Sequence, residues 1–384
     1  VADVAAQTRP LIVSIIGTRP EAIKMAPVIR AVAGRPKLRQ EIILTGQHPE
    51  LENFDFPSVP MRRLDLNLHE QSAGEIREAL HHALCLQLFR PRPDLVLVQG
   101  DTSTALAGAL AARDCGVPIG HVEAGLRSGD LQQPWPEEGN RIRIDALSDL
   151  LFAPTDQAAG NLALEAGVNG AVHVTGNTGI DALLHARQSR AAARHASERR
   201  MILVTCHRRE NRGEQLHRIA EAMKRLVRGL PVEIVFLLHT NSHVRCAAEE
   251  LLSDLPHISL LDPVDHPEMV CLMDRCWLIL TDSGGLQEEG PALGRPVLVL
   301  RSRTERGEAV ESDNIELVGT DPDRIFNAVS RLVGDSAAYD RMARPSFPFG
   351  DGNAAPRIAA IVEEFLNEAR EAPARLSIAQ MSGE

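Results

Sequence analysis

The stretch Leu11-Ile12-Val13-Ser14-Ile15-Ile16-Gly17-Thr18-Arg19-Pro20-Glu21 decides the fold class. Its nearly unbroken apolar run fits a strand buried on both faces, as in a parallel sheet covered by helices. Gly17 ends the run, and Pro20 suits the first turn of a helix continuing through about Val32. The unit then repeats. Apolar runs lie near 41–45, 95–98, 117–120, 150–153 and 171–174, with helical patterns between them, among them 70–89 and a helix from about 156. A polar Ala/Arg/Ser-rich segment at 185–200 precedes a fresh strand, Met201–Thr205, and strands near 232–238, 257–260, 277–281 and 296–299 follow. Such alternation predicts an α/β chain with a doubly wound parallel sheet formed twice over. The crossing between domains is placed at about residues 178–198.

A chain of 384 residues fits two domains, and 44% hydrophobic with 24% charged residues is ordinary for a globular enzyme. The net charge of -11 argues against nucleic acid or an anionic membrane as partner. No membrane-spanning run or signal-peptide pattern is read, so the expected location is the cytoplasm. The six cysteines are scattered without a C-x-x-C pair and read as core or incidental thiols, with no metal site expected. No G-x-G-x-x-G follows the first strand, which removes the expectation of a nicotinamide cofactor.

Four stretches carry chemistry. The densest is His121-Val122-Glu123-Ala124-Gly125-Leu126-Arg127, running on through Asp130, Trp135, Glu137 and Glu138 to Arg141. Any one of these charges taken alone reads as a solvated loop residue, but together they read as an active-site loop bearing acid–base groups. Trp135, between two prolines, is the expected anchor, and Glu137-Glu138 opens a helix where carboxylates suit the dipole. Asp101 and Thr102 follow the strand 95–98, where either an N-cap or a ligand role fits. His207, Arg208 and Arg209 follow the strand 201–205 and suit a phosphate or sugar. At Asp282-Ser283-Gly284-Gly285 a strand meets a helix through bare backbone that can receive an anion, and Glu289, one turn on, can reach a ribose diol.

At these residues the chain resembles the bacterial non-hydrolysing UDP-N-acetylglucosamine 2-epimerases. The resemblance rests on motifs in order along nearly the whole chain: GTRPEAIKMAP at 17–27, GQH at 46–48, GDTST at 100–104, HVEAGLRSGD with PWPEEGNR at 121–141, GNTGIDAL at 176–183, HRREN at 207–211, HTN at 239–241, DSGGLQEE at 282–289, RTER at 303–306 and GDG at 350–352. It implies two Rossmann-like domains facing each other across a cleft in the manner of GT-B glycosyltransferases. Residues 1–178, rejoined by a final helix at 354–370, would form the first and 179–353 the UDP-binding second, with 371–384 a disordered tail. The stripe Ile358, Ile361, Val362 and Phe365 suits that helix.

By motif position, the resemblance assigns proton chemistry to Asp101, Glu123, Glu137 and His207. It assigns substrate binding to Arg19, Lys24, Arg141, Arg208, Ser283, Gly284, Gly285 and Glu289. Gln47, His48 and Gln71 are the candidate regulatory residues for a second substrate molecule; the short, non-helical segment Pro49 to Asp65 argues against that regulation. Gly179, Gly307 and Phe349 stand where the family usually has an apolar residue, Pro and Tyr. The implied reaction needs no cofactor. UDP leaves C1 as the C2 proton is removed, and both return with the proton on the other face. Asp101 or Glu123 is expected as the base, with Glu137 as partner. The alternatives are a hydrolysing relative that releases N-acetylmannosamine and UDP, a GT-B glycosyltransferase, and a non-catalytic UDP-sugar-binding regulator. The family also implies a homodimer.

Overall fold

The structure is a computed structural model describing residues 9–47, 51, 54–64, 66, 73–132, 135–189, 198–208, 211–239, 241–304 and 306–381, with backbone alone at 73, 189 and 372–381. The chain divides into two compact units, Val1–Ala182 with Gly350–Glu384, and Leu183–Phe349. The N-terminal unit is built on strands β1 (Leu11–Ile16), β2 (Arg39–Leu44), β3 (Met61–Arg63), β4 (Leu95–Gln99), β5 (Ile119–Val122), β6 (Leu150–Ala153) and β7 (Ala171–Val174). They form one sheet in the order β3-β2-β1-β4-β5-β6-β7, every pairing parallel.

The apolar run that opened the sequence is buried along its whole length because both faces of β1 are covered. Ile12 and Ile16 pack with the helix Arg19–Ala33 and the last helix, while Leu11, Val13 and Ile15 pack with the helices Ala73–Phe89 and Ser103–Asp114. Thr18 caps Arg19–Ala33 in a capping box, its N–H donating to Glu21 Oε2 at 2.6 Å. Gly17 is required at the turn, since a Cβ there would lie 2.0 Å from Thr104 Oγ1 and 2.6 Å from Thr45 Oγ1.

The last helix, Ala354–Met381, belongs to the N-terminal unit. The Ala354 and Ala355 N–H groups donate to the Asp181 carboxylate at 3.2 and 2.8 Å, satisfying the helix start. Burial raises the Asp181 pKa above its ordinary value, against those donors. Ile358, Ala359, Val362 and Leu366 enter the core. The helix continues to Met381 where the apolar stripe suggested an end at 370 and a disordered tail beyond, because the following Ala, Glu and Arg residues favour helix.

The second unit carries β8 (Arg200–Thr205), β9 (Val232–Leu237), β10 (Ile258–Leu261), β11 (Leu278–Thr281), β12 (Val297–Val299) and β13 (Ile315–Leu317). Their order is β10-β9-β8-β11-β12-β13, again all parallel. Leu216, Ile219, Met223 and Leu226 of the helix Glu214–Gly229 join Ile325, Val329 and Leu332 of Pro322–Gly334 in its core. Strands β3 and β13 escape the sequence pattern because each is three residues long and carries charge.

Chain order reverses between β1 and β4 in one sheet and between β8 and β11 in the other. Ligands of open α/β sheets bind at the carboxyl ends of strands beside such a reversal. The four loops there begin at Gly17, Gly100, Cys206 and Asp282; the last three carry stretches singled out in the sequence, while the densest such stretch, from His121, follows the neighbouring β5.

Candidate active site

In the N-terminal unit, Thr18, Pro20, Glu21, Lys24, Gln99, Gly100, Asp101, Thr102 and Glu123 line a cavity of about 280 Å³. Thr102 settles the ambiguity at the end of β4. Its hydroxyl accepts from Ala105 N at 3.0 Å and caps Ser103–Asp114, which leaves the Asp101 carboxylate for other work. Arg141 pairs with Asp101 Oδ2 and, at 2.9 Å, with Glu138 Oε2. Asn140 Nδ2 holds the Asp101 carbonyl at 2.9 Å.

Glu123 leaves β5 with φ 71°, a left-handed backbone conformation uncommon for a residue with a Cβ. Strain of this kind persists where the surroundings over-determine it, and it concentrates at functional sites. Here the Glu123 and Ala124 N–H groups both donate to the Phe152 carbonyl at 3.1 Å. The carboxylate is paired with Lys24 and accepts from Asn177 Nδ2 at 2.9 Å. Glu21 shares the cavity and accepts from Gly17 N, Thr18 N and Thr102 Oγ1. Burial is the largest influence and leaves the Glu21 pKa raised, with those donors opposing it.

Behind the loop lies a buried ionic network. His121 Nδ1 donates to Asp145 Oδ1 at 2.6 Å and its Nε2 to the Gly100 carbonyl at 2.8 Å, both side chains being fully buried. Asp145 also accepts from Gly125 N at 3.2 Å and Arg127 at 2.6 Å, and Arg127 continues to Glu165 at 2.5 Å. Burial alone would raise the Asp145 pKa, but the charges and hydrogen bonds of His121 and Arg127 outweigh it and lower the pKa. The network fixes the Gly100 carbonyl, one residue before Asp101.

In the second unit the loop after β8 is shaped by Asp282. This fully buried carboxylate accepts from His207 N at 3.0 Å, Arg208 N at 2.9 Å and Asn211 Nδ2 at 2.9 Å. The His207 ring lies 5.3 Å from the His239 ring. Desolvation by the surrounding protein is the main reason its pKa is lowered; His239 pushes the same way and Asp282 opposes. The helix Gly284–Ala292 starts at Ser283, whose side chain makes no capping bond. A Cβ on Gly284 would meet the Arg306 guanidinium at 2.7 Å, so this buried cation lies against the positive end of the helix. Arg306 is paired with Glu288 at 2.9 Å. The helix start and the cation beside it both suit an anion, which makes the turn a candidate anion cradle. Glu289, in the next turn, is 9% exposed, with an oxygen 3.6 Å from His266 Nε2.

The structure therefore brings Asp101, Glu123 and Lys24 onto one cavity. Glu137 opens the helix Glu137–Leu147 as expected, and its Oε2 is buried without a hydrogen-bond partner. Arg19 is the first residue of its helix, and Ser283, Gly284 and Gly285 form the cradle turn. Arg141 departs from the expected substrate contact: its side chain is 2% exposed and faces Asp101 and Glu138. The stretch 121–141 is not a solvated loop either. His121 lies within β5, and Glu123, Glu138 and Arg141 are buried because each has an ionic or hydrogen-bonding partner. Trp135 is 59% exposed and is no anchor; Glu138, accepting from Ser128 N at 2.9 Å and Gly129 N at 3.2 Å, ties the loop instead. Gln47 accepts from Thr104 Oγ1 at 2.7 Å, whereas His48, Gln71 and Arg209 lie outside the described residues. Sequence reading missed Glu21, Asn177, Asp145 and the loop-closing role of Asp282. Only Glu21 left a signal, the Thr-x-x-Glu capping pattern.

Comparison with known proteins gives one direction. The family model described as UDP-N-acetylglucosamine 2-epimerase matches residues 30–363. A probable UDP-N-acetylglucosamine 2-epimerase of Ralstonia nicotianae is 43% identical, over 91% of this chain and 98% of its own. The structure of S. aureus MnaA with UDP superposes with a TM-score of 0.85 at 39% identity, covering 93% of this chain and 97% of that one. The UDP-GlcNAc 2-epimerase of Neisseria meningitidis bound to UDP-GlcNAc gives a TM-score of 0.84 at 37% identity, over 92% of this chain and all of that one.

Proposed function

The chain belongs to the UDP-N-acetylglucosamine 2-epimerase family, and we propose that it is a non-hydrolysing isomerase interconverting UDP-GlcNAc and UDP-ManNAc without a cofactor. The observation that carries the reaction type is the cavity shared by Asp101 and Glu123, each paired with its own buried or half-buried cation. C2 of the sugar is not next to a carbonyl, so its proton is lost only if a leaving group departs with the electron pair. A carboxylate, Asp101 or Glu123, takes the proton from C2 as the C1–O bond to UDP breaks, giving a 1,2-unsaturated sugar and UDP. UDP then re-adds at C1, and a proton reaches C2 from the opposite face. Glu137, with its orphaned oxygen, is the partner in that second transfer.

Each unit taken by itself offers groups suited to the leaving UDP. The Gly284–Gly285 turn and Arg306 suit the diphosphate, with Arg19 and Arg208 as further cations and Glu289 for the ribose. Lys24 and Arg141 act on the carboxylates and set their positions. His207 stands at the second switch point as a group that can exchange a proton near neutrality. A homodimer in the cytoplasm is the accompanying expectation, which light scattering of the purified chain tests. Among the described residues no helix is long and apolar enough to cross a membrane.

The test is proton NMR of the purified protein with UDP-GlcNAc in heavy water, without cofactor or acceptor. The expected result is deuterium at C2 together with the UDP-ManNAc epimer. Epimer without exchange would overturn the elimination route, and free N-acetylmannosamine as main product would favour the hydrolysing reading.

A further inference from the structure

We infer that His81, Cys85 and Asp114 of the N-terminal unit form a binding site for a zinc-class divalent cation. His81 and Cys85 stand one helical turn apart on the helix Ala73–Phe89, hence on one face. Asp114 ends the helix Ser103–Asp114 that packs against it, and ligand atoms of the three residues lie within 4.8 Å of one another. Cys85 Sγ is 3.6 Å from His81 Nε2. Zinc bond lengths of about 2.3 Å to sulfur and about 2.0–2.1 Å to nitrogen place those atoms about 3.5 Å apart in a tetrahedron. His81 Nε2 lies 2.9 Å from Asp114 Oδ2, so a cation between them opens that edge by only a few tenths of an ångström.

The plainer account is a surface ion pair between His81 and Asp114 with a thiol beside it, an arrangement that stabilises little. That account covers the His81–Asp114 pair and treats the Cys85 sulfur beside it as incidental, whereas a cation would take the sulfur, the imidazole nitrogen and the carboxylate oxygen as one ligand set. The mixed sulfur, nitrogen and oxygen set suits zinc and not magnesium or calcium. Asp114 stands at the negative end of its helix, which also favours a cation there. Deprotonating Cys85 opposes binding, because burial and the neighbouring Cys115 and Asp114 push its thiol up to about 11. A dication at bonding distance reverses that balance. His81 and Asp114 are 33% and 63% exposed, which leaves an entry path and a fourth position for water. Ser103 starts the helix beside Asp101, and a helix rises about 1.5 Å per residue, which puts Asp114 roughly 16 Å from the cavity. The cation pins two helices together and takes no part in the chemistry.

The test strips the full-length chain with a chelator and titrates it with cobalt(II), then zinc, in a Cys246→Ser background, because Cys246 is exposed. The expected result is one equivalent of cobalt with a thiolate charge-transfer band, lost on adding zinc, and a higher melting temperature with zinc. Cys85→Ser and Asp114→Asn each weaken binding at least about tenfold, since loss of a ligand exceeds loss of an outer partner. Cys115→Ser changes it less than threefold. His81→Gln repeats the test should Cys85→Ser lose its native circular dichroism. Absence of the thiolate band, affinity unchanged in Cys85→Ser or His81→Gln, or loss of binding in Cys115→Ser would each overturn the assignment.

Discussion

Asp101 and Asp282 occupy the same place in two sheets of like topology, each just past the strand that follows the reversal of order. They are put to different use. Asp101 is 23% exposed and held by an arginine from the side, with its carboxylate on a cavity. Asp282 is fully buried and closes the His207–Asn211 loop through backbone and amide donors. The helices that follow differ likewise: Thr102 caps one, and Ser283 leaves the other uncapped beneath Arg306. Topology fixes where a ligand can approach, and the local partners decide whether that place offers a base or an anion cradle.

The contrast is sharpened first by Asp101→Asn and Glu123→Gln. Each should lower kcat by about 10²–10⁴-fold while leaving UDP affinity, measured calorimetrically, close to wild type. Asp282→Asn should instead show in urea unfolding, and a loss of turnover without loss of stability would break the comparison. Next, Asp145→Asn leaves the buried His121 and the Arg127 guanidinium without their shared carboxylate and should cost about 3–5 kcal/mol of stability in the same assay. Arg306→Ala removes a charged contact worth about 1.5–3 kcal/mol, so kcat/KM for the nucleotide sugar should fall by roughly 10–150-fold. Thr102→Ala should destabilise by about 0.5–2 kcal/mol, whereas Ser283→Ala, which removes no cap, should be within a few tenths.

The smallest effect concerns pH. The folded-state pKa of His207 lies below 6.5, so between that pKa and 6.5 the unfolded chain binds a proton that the folded chain does not. Its contribution to stability is present above pH 6.5 and is lost as pH falls toward the folded pKa. His207→Asn should flatten that part of the stability profile. A profile as steep as wild type would place the titration elsewhere.

The strands were legible because burial on both faces leaves an unbroken apolar run, as in Leu11–Ile16 and Leu95–Val98. The candidate loops were legible because parallel strands must end where ligands bind. The roles within them were not. Asp145 meets His121 across 24 residues, and Arg141 meets Asp101 across 40, so nothing local distinguishes a substrate-binding arginine from one that positions a carboxylate. The left-handed backbone at Glu123 is equally silent, since it is imposed by the Phe152 carbonyl of the next strand.

The packing of Ala355, Ile358, Ala359, Val362 and Leu366 in the first sheet's core has a consequence for synthesis. These residues leave the ribosome after every strand of both sheets. The second unit is continuous in sequence and can close as soon as it emerges. The N-terminal unit, translated first, keeps an uncovered apolar face over Ile12, Ile16, Met25 and Ile29 until the last helix arrives. The half of the molecule that is made earliest is thus completed last, and truncation near residue 350 should expose that face to aggregation while leaving the second unit able to fold.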